Sequence, residues 1–156
     1  MTTQSATSSA ADSAAPGVII NIAVDAAYLA SQQSGPYAGT GIYMMDNGLV
    51  SGCLGEGGAE LSSVVNAGFG VAFNVNPIQM LEGNYTVQIA GIELSSGTNI
   101  FGNRGFPAPP TAPSPYQWLG TATEQGSCIY QIKIGVQGPD TDMVYFWWDP
   151  KLTCVD

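Results

Sequence analysis

Apolar and polar residues alternate with a period of two along most of this chain. In Val18–Asp25 every second residue is valine or isoleucine, and Gly41–Asp46 repeats the alternation over a shorter length. Successive side chains of a strand point to opposite faces, so this period is typical of strands with one buried face. Between them, Ala26–Gln33 predicts a short helical turn, which the Ser-Gly-Pro run at 34–36 ends.

The segment Ala67–Val75 has two unequal faces. Phe69, Val71 and Phe73 lie on a bulky apolar face, whereas Gly70 and Ala72 lie on a face with almost no side-chain volume. Such a face allows the close approach of another backbone. The neighbour is either a part of the same domain or the surface of another molecule.

A later strand shows a break in its alternation. The pattern that runs from Tyr85 to Ile89 falls out of phase at Ile92, and a β-bulge at Ala90-Gly91 would restore the buried face. The next stretch, Asn99–Pro115, holds five of the ten prolines and predicts a long loop that lies across the surface. Strands are then predicted at Tyr116–Thr121, Cys128–Gln137 and Val144–Asp149.

These segments add up to about seven or eight short strands with no long helix. Strands of this length joined by Gly, Pro and Asn turns predict an all-β fold, an antiparallel β-sandwich over residues 17–156. The first residues, Met1–Pro16, are rich in Ser, Thr, Ala and Gln and predict a flexible tail. They have neither the basic nor the apolar region of a signal peptide, so we expect a cytoplasmic protein.

Charge changes the picture of possible partners. Only 10% of the 156 residues are charged, where about 25% is usual, and the net charge is −9 because Arg104, Lys133 and Lys151 face twelve carboxylates. Nucleic acid and anionic membranes need clustered basic residues, so neither is an expected partner. Few surface charges keep copies of the chain apart, so we expect a homo-oligomer. Its association should become tighter as pH falls toward the pI of about 4.1, because the mutual repulsion of the negatively charged chains then weakens.

The sequence contains few candidate catalytic or metal-binding residues. There is no histidine, which excludes Ser-His-Asp and Cys-His sites, and we expect no catalytic residue, no cofactor and no metal. Asp140 and Asp142 supply only two of the 6–8 oxygens that calcium takes, so a solvated turn is the favoured interpretation. Glu56 and Glu60 would be the remaining carboxylates for an unexpected hydrolytic activity.

The cysteines Cys53, Cys128 and Cys154 are odd in number and widely spaced. No CxxC pair is present, which argues against a zinc site. The favoured interpretation is buried reduced thiols, and a disulfide between the two C-terminal cysteines is the alternative.

The aromatic residues give the one candidate binding site. Trp118, Trp147 and Trp148 lie in the C-terminal third, and Trp147 and Trp148 must face opposite sides of their strand. An exposed ring beside polar groups suits a sugar, with Asp140 and Asp142 as candidate polar partners. The favoured interpretation, however, is that both rings are buried under the proline-rich loop.

Three stretches follow one another along the chain: Gly17–Asp25 with Tyr28-Leu29, Ile42–Gly52 followed by Gly57–Leu61, and the closing Tyr145–Thr153 with its Tyr-Phe-Trp-Trp-Asp-Pro sequence. In this order they resemble the bacterial inclusion-body protein family that is also called PixA/AidA-like. Two features differ from the family pattern: the insertion after the first strand is short, and Gly70–Val75 lacks the family's basic, tryptophan-containing character.

The resemblance implies a β-sandwich without catalytic activity, associated with intracellular inclusions and in some members with quorum-regulated virulence or host interaction. We therefore expect a non-enzymatic, self-associating inclusion-body-type protein. The alternative function is a carbohydrate-binding, lectin-like module whose weak sugar contacts gain strength from display on an oligomer.

Overall fold

The computed structural model describes residues 16–37, 39–48 and 54–156, and its secondary structure consists almost wholly of ten strands. The helical parts are α1 (Ala26–Leu29) and one 3₁₀ turn (Gly102–Arg104); no helix in the described residues is long and apolar enough to cross a membrane. The strands are β1 (Pro16–Val24), β2 (Gly35–Pro36), β3 (Ile42–Asp46), β4 (Ser62–Asn66), β5 (Gly70–Pro77), β6 (Thr86–Gly97), β7 (Trp118–Thr121), β8 (Gly126–Gln137), β9 (Val144–Trp148) and β10 (Lys151–Val155). The predicted tail, apart from Pro16 in β1, lies outside the described residues.

The four-stranded sheet has the order β3-β1-β5-β7. β1 pairs antiparallel with β3 and parallel with β5, which in turn pairs antiparallel with β7. The alternation in β1 puts Val18, Ile20 and Ile22 into the core, each at most 1% exposed. The period-two pattern therefore buries one face of this sheet.

The six-stranded sheet is built around β8. β6 pairs antiparallel along one side of β8, and β9 and β10 pair end to end along the other side. β2 and β4 then add in parallel to β9 and β10. Cys128, Tyr130, Ile132, Ile134 and Val136 line the inner face of β8, as the sequence predicts.

The predicted all-β sandwich is confirmed, with two differences in detail. The described part of the chain forms ten strands, and both sheets mix parallel and antiparallel pairs. The alternation of side chains is the same for either direction, so it does not reveal which strands become neighbours. β5 lies between β1 and β7, and its near-continuous burial is typical of a central strand covered on both faces.

The small-residue face of β5 is covered within the chain. Gly70 is buried and Ala72 is 0% exposed, so this face packs inside the domain and is not open to another molecule. Phe69, which the alternation placed with the core residues, precedes β5 and is 46% exposed. The strand begins three residues later than the predicted segment, and Phe69 lies in the turn before it.

Two irregular features predicted from the sequence are confirmed. The register of β6 against β8 shifts between Ile89 and Gly91, which places the bulge at the predicted position. The proline-rich segment forms the connection from β6 to β7, and Ala108 makes an isolated bridge with Leu119. The bulge lets Ile92 join Ile89 on the buried face.

The core between the sheets is centred on two aromatic rings. Phe73 of β5 meets Tyr130 of β8 edge to face, with ring centroids 5.8 Å apart and planes at 75°. Edge-to-face contact is a favourable arrangement for aromatic pairs. The Tyr130 hydroxyl is buried and has no hydrogen-bond partner among the described residues. A buried donor without a partner costs stability.

Replacing Tyr130 with phenylalanine is therefore expected to raise the free energy of unfolding by about 1 kcal/mol at pH 7. Burial also raises the pKa of Tyr130 above its usual 10.0. The wild-type protein therefore keeps its stability below pH 10.0 and loses part of it as pH rises further, because the Tyr130 hydroxyl then ionises only in the unfolded chain. The advantage of the variant should widen between pH 7 and pH 11.

Urea denaturation at the two pH values checks this result. Tyr43→Phe, which alters a hydroxyl on a side chain that is 40% exposed, is the control and should change little. A Tyr130→Phe variant less stable than the wild type would mean that a buried water satisfies the hydroxyl.

Cys128 and Cys154 are buried free thiols. Burial raises the pKa of Cys128 to about 11 and also raises that of Cys154 above its usual value. Both thiols stay protonated at neutral pH, and a protonated buried thiol is a poor nucleophile. Cys53 lies outside the described residues.

Candidate functional site

A groove opens at the side of the sandwich, where the edges of the two sheets face each other. Its volume is about 740 Å³. One wall is β3 with the segment 57–60, and the other is β2 with the end of β9. The Met44 N–H donates to the Gly58 carbonyl at 3.0 Å and the Gly57 N–H donates to the Met44 carbonyl at 2.7 Å, so this segment is fastened to β3.

The two tryptophans of β9 take different places in this groove. Trp148 points inward and is 7% exposed. Its indole N–H donates to the Met44 sulfur at 3.1 Å, and its ring lies 6.1 Å from the ring of Tyr37 between centroids. Trp148 thus joins the two walls at the base of the groove.

Trp147 points outward and is half-buried, so the predicted opposite orientation of the two rings is confirmed. The favoured interpretation, in which both rings are buried, is wrong. Lys133 lies directly opposite Trp147 in the β8–β9 register. Its ammonium is 5.8 Å from the Trp147 ring centroid and 5.0 Å from that of Tyr145. Cation–π attraction of this kind holds an exposed ring in place.

Polar side chains lie along the rim of the groove. The Gln131 amide donates to a carboxylate oxygen of Asp149 at 3.5 Å, a long contact compared with the usual 2.9 Å or so. Glu60 is exposed on the opposite wall, and Tyr43 presents a ring that is 40% exposed. The rim therefore combines aromatic surface with carboxylates and an amide.

Tyr37 connects the two sheets beside the groove. Its backbone N–H donates to the Trp147 carbonyl at 2.9 Å, and its hydroxyl lies 3.3 Å from the Ile42 carbonyl. Burial raises the pKa of Tyr37, and the Ile42 hydrogen bond opposes that shift only in part. The phenol is neutral at physiological pH, and the wall it forms is anchored at both ends.

The structure brings only two of the five predicted site residues together. Trp118 lies on β7 in the four-stranded sheet, where it is half-buried against the core. Asp140 and Asp142 are exposed in the turn between β8 and β9. The turn lies before β9, and the three residue steps from Val144 to Trp147, at about 3.3 Å each, carry the groove tryptophan about 10 Å along the strand from it.

Sequence reasoning missed the polar half of the groove. Tyr43 lies between the buried Ile42 and Met44, so the alternation already placed it on the outer face of β3. Asp149 directly follows the tryptophan pair, which was a usable signal. The approach of Glu60 depends on the pairing of its segment with β3, and no local pattern indicates that pairing.

Comparison with known proteins gives a family and a fold. Residues 17–142 match the family described as Domain of unknown function (DUF8788). The structure is similar to the crystal structure of the inclusion body protein PixA from Burkholderia cenocepacia J2315, with a TM-score of 0.66 and 19% sequence identity over 91% of this chain and 96% of that one. The resemblance to inclusion-body proteins is thereby confirmed as a shared fold. No curated protein matches the sequence.

Proposed function

We propose that this chain, which belongs to the DUF8788 family, is a non-enzymatic inclusion-body-type protein that assembles with copies of itself in the cytoplasm. The observation that carries the proposal is its shared fold with an inclusion body protein over nearly the full length of both chains. Two features of the surface, the edge of β6 and the β5–β6 turn, supply the means of assembly.

The carboxylates considered for catalysis support a non-enzymatic role. Glu56, Glu60, Asp140 and Asp142 are all exposed. Catalytic carboxylates are commonly placed in partly buried surroundings that adjust their pKa. The chain also has no histidine to serve as a base at neutral pH.

β6 is an unusually open edge. It is 12 residues long and pairs with β8 on one side, and within residues 16–37, 39–48 and 54–156 no strand pairs with its other side. The other outer strands are short or flanked: β2 has two residues, and isolated bridges flank β3, β4 and β7. An open edge of backbone donors and acceptors is a template for another strand.

The side chains of β6 leave that edge unguarded. Glu93 is its only charged residue, and it contains no proline or lysine. Two β6 edges can meet antiparallel about a two-fold axis, which is the commonest symmetry of homodimers. Twelve residues at about 3.4 Å give roughly 40 Å of edge.

The turn between β5 and β6 adds exposed apolar surface. Ile78 is 52% exposed, Met80 is 74% exposed and Leu81 is 98% exposed. Burying apolar surface at an interface gains about 25 cal/mol per Å². This turn therefore supplies a driving force for assembly.

Lysines on the β6 edge should weaken assembly at least tenfold. The change is Gln88→Lys with Ser95→Lys, because charges on an edge strand discourage pairing. Gln33→Lys with Thr111→Lys adds the same charge at exposed positions elsewhere. Both pairs reduce the net negative charge equally, so the control should assemble as well as the wild type or better.

Sedimentation velocity over a concentration series measures the association constant. A wild-type protein that stays monomeric at high concentration would overturn the assembly proposal. If both lysine pairs lower the association constant equally, β6 is excluded as the interface.

We also propose, on the resemblance alone, a role in quorum-regulated virulence or host interaction. Transcript levels that do not change with cell density would contradict the quorum regulation and leave the assembly proposal intact.

A further inference from the structure

We propose that the groove between the two sheet edges binds a neutral sugar, with Tyr43 and Trp147 as stacking rings and Asp149 and Gln131 as hydrogen-bonding groups. This binding function is separate from assembly through β6. It replaces the site that the sequence suggested, because Asp140, Asp142 and Trp118 lie elsewhere.

The size of the groove fits a small ligand. Ligand sites have volumes of about 300–1,000 Å³ and combine apolar walls with a few polar groups. The groove holds about 740 Å³ and has that composition. It lies along the open side of the sandwich, so an oligosaccharide can extend out of it.

The two rings provide flat apolar surfaces on opposite walls. Tyr43 stands on β3 and Trp147 on β9, and both rings are partly exposed. One face of a pyranose consists largely of C–H groups, and an aromatic ring packs against such a face while its polar atom stays in water. Lys133 holds Trp147 in position before any ligand arrives.

The rim polar groups match hydroxyl chemistry. The Asp149 carboxylate accepts hydrogen bonds, and the Gln131 amide both donates and accepts. A sugar hydroxyl also does both, so adjacent hydroxyls can satisfy both residues. Their mutual contact of 3.5 Å is long, and a ligand can therefore replace it at little cost.

The charges around the groove select against anions, and Lys133 disfavours a cation at the Trp147 ring. Asp149 and Glu60 repel anionic ligands such as sialylated or sulfated glycans. The ammonium of Lys133, 5.8 Å from the Trp147 ring, repels a second cation at that ring. A neutral polyhydroxylated ligand is repelled neither by the carboxylates nor by Lys133. A quaternary ammonium ligand, of the kind that aromatic cages bind, is repelled by Lys133.

The first experiment identifies the ligand class. The purified protein is applied to an array of neutral mannose, glucose, galactose and N-acetylhexosamine oligosaccharides beside sialylated and sulfated ones. The strongest neutral sugar is then titrated as its methyl glycoside, and tetramethylammonium is titrated in parallel. Tryptophan fluorescence in a Trp118→Phe background reports the titrations, since only the two groove indoles remain.

We expect neutral sugars to bind and to change the groove fluorescence. No binding on the array, binding of anionic glycans only, or a response to tetramethylammonium alone would overturn the proposal. Each of these results leaves the sedimentation test of assembly unaffected.

Variants then locate the binding. Tyr43→Ala should weaken binding at least tenfold, whereas Phe69→Ala removes a comparably exposed ring outside the groove and should leave it unchanged. Asp149→Asn should weaken binding several-fold, and the exposed Glu82→Gln should not. Circular dichroism confirms that each variant is folded.

Two results would place the sugar elsewhere. Equal affinity of Tyr43→Ala and the wild type would exclude the proposed stacking wall. Loss of binding in Asp142→Asn, with Asp149→Asn unaffected, would move the site to the β8–β9 turn.

Discussion

Replacing Phe73 with alanine is expected to lower the free energy of unfolding by about 3–5 kcal/mol. Phe73 is 0% exposed and lies on a central strand, with its ring against the edge of the fully buried Tyr130. The loss includes the burial of the ring, the aromatic contact and the cavity left between the two sheets. Since whole domains are stable by only about 5–15 kcal/mol, the variant should be close to unfolding.

Phe69→Ala is the matched control because it removes the same kind of ring one residue before β5 begins, outside the core. Phe69 is 46% exposed, so its loss should cost less than about 1 kcal/mol. Urea denaturation of the three proteins at one temperature gives both differences. A similar loss of unfolding free energy in the two variants would contradict the difference in burial between Phe73 and Phe69.

Replacing Gly97 with alanine is expected to cost about 2–5 kcal/mol, from backbone strain and steric overlap together. Gly97 ends β6 at a φ of +87°, where residues other than glycine are strained. A Cβ there would lie 2.5 Å from the Ser127 carbonyl oxygen, and the backbone of β8 cannot move without disturbing the ladder.

Gly105→Ala separates the two causes. Gly105 has a φ of +84°, but its added Cβ would meet no atom within 4 Å, so this variant reports strain alone. Its ψ of 162° lies in a region that is essentially restricted to glycine, so we expect a cost of about 1–3 kcal/mol, less than that of Gly97→Ala in the same denaturation assay. If the two variants are equally stable, the β6–β8 contact is looser than the structure indicates.

The features that could be predicted from the sequence are those set by neighbouring residues. The inner faces of β1 and β8, the bulge at Gly91 and the opposite orientations of Trp147 and Trp148 all follow from the alternation of side chains. Each depends only on which residues adjoin one another within a single strand.

The pairing of strands could not be predicted in the same way. Nothing in the alternation of β1 indicates that it lies beside β5, or that β4 lies beside β10. The groove has the same origin, because Tyr43 and Asp149 line one groove only when β3 comes to face β2 and the end of β9. The two aspartates of the β8–β9 turn looked suitable because they are near Trp147 in sequence, but an extended strand carries them away from it.

The pairing of β4 with β10 also affects how quickly this chain can fold. The two strands join residues roughly ninety positions apart, and β1 must pair with β5 across four intervening elements. Contacts between distant parts of a chain require loops to close before any stabilisation is gained, so folding rates fall as contact order rises. We infer that this domain folds on a timescale of milliseconds to seconds rather than microseconds. During that interval the partly folded chain exposes strand edges that the native sheets later cover.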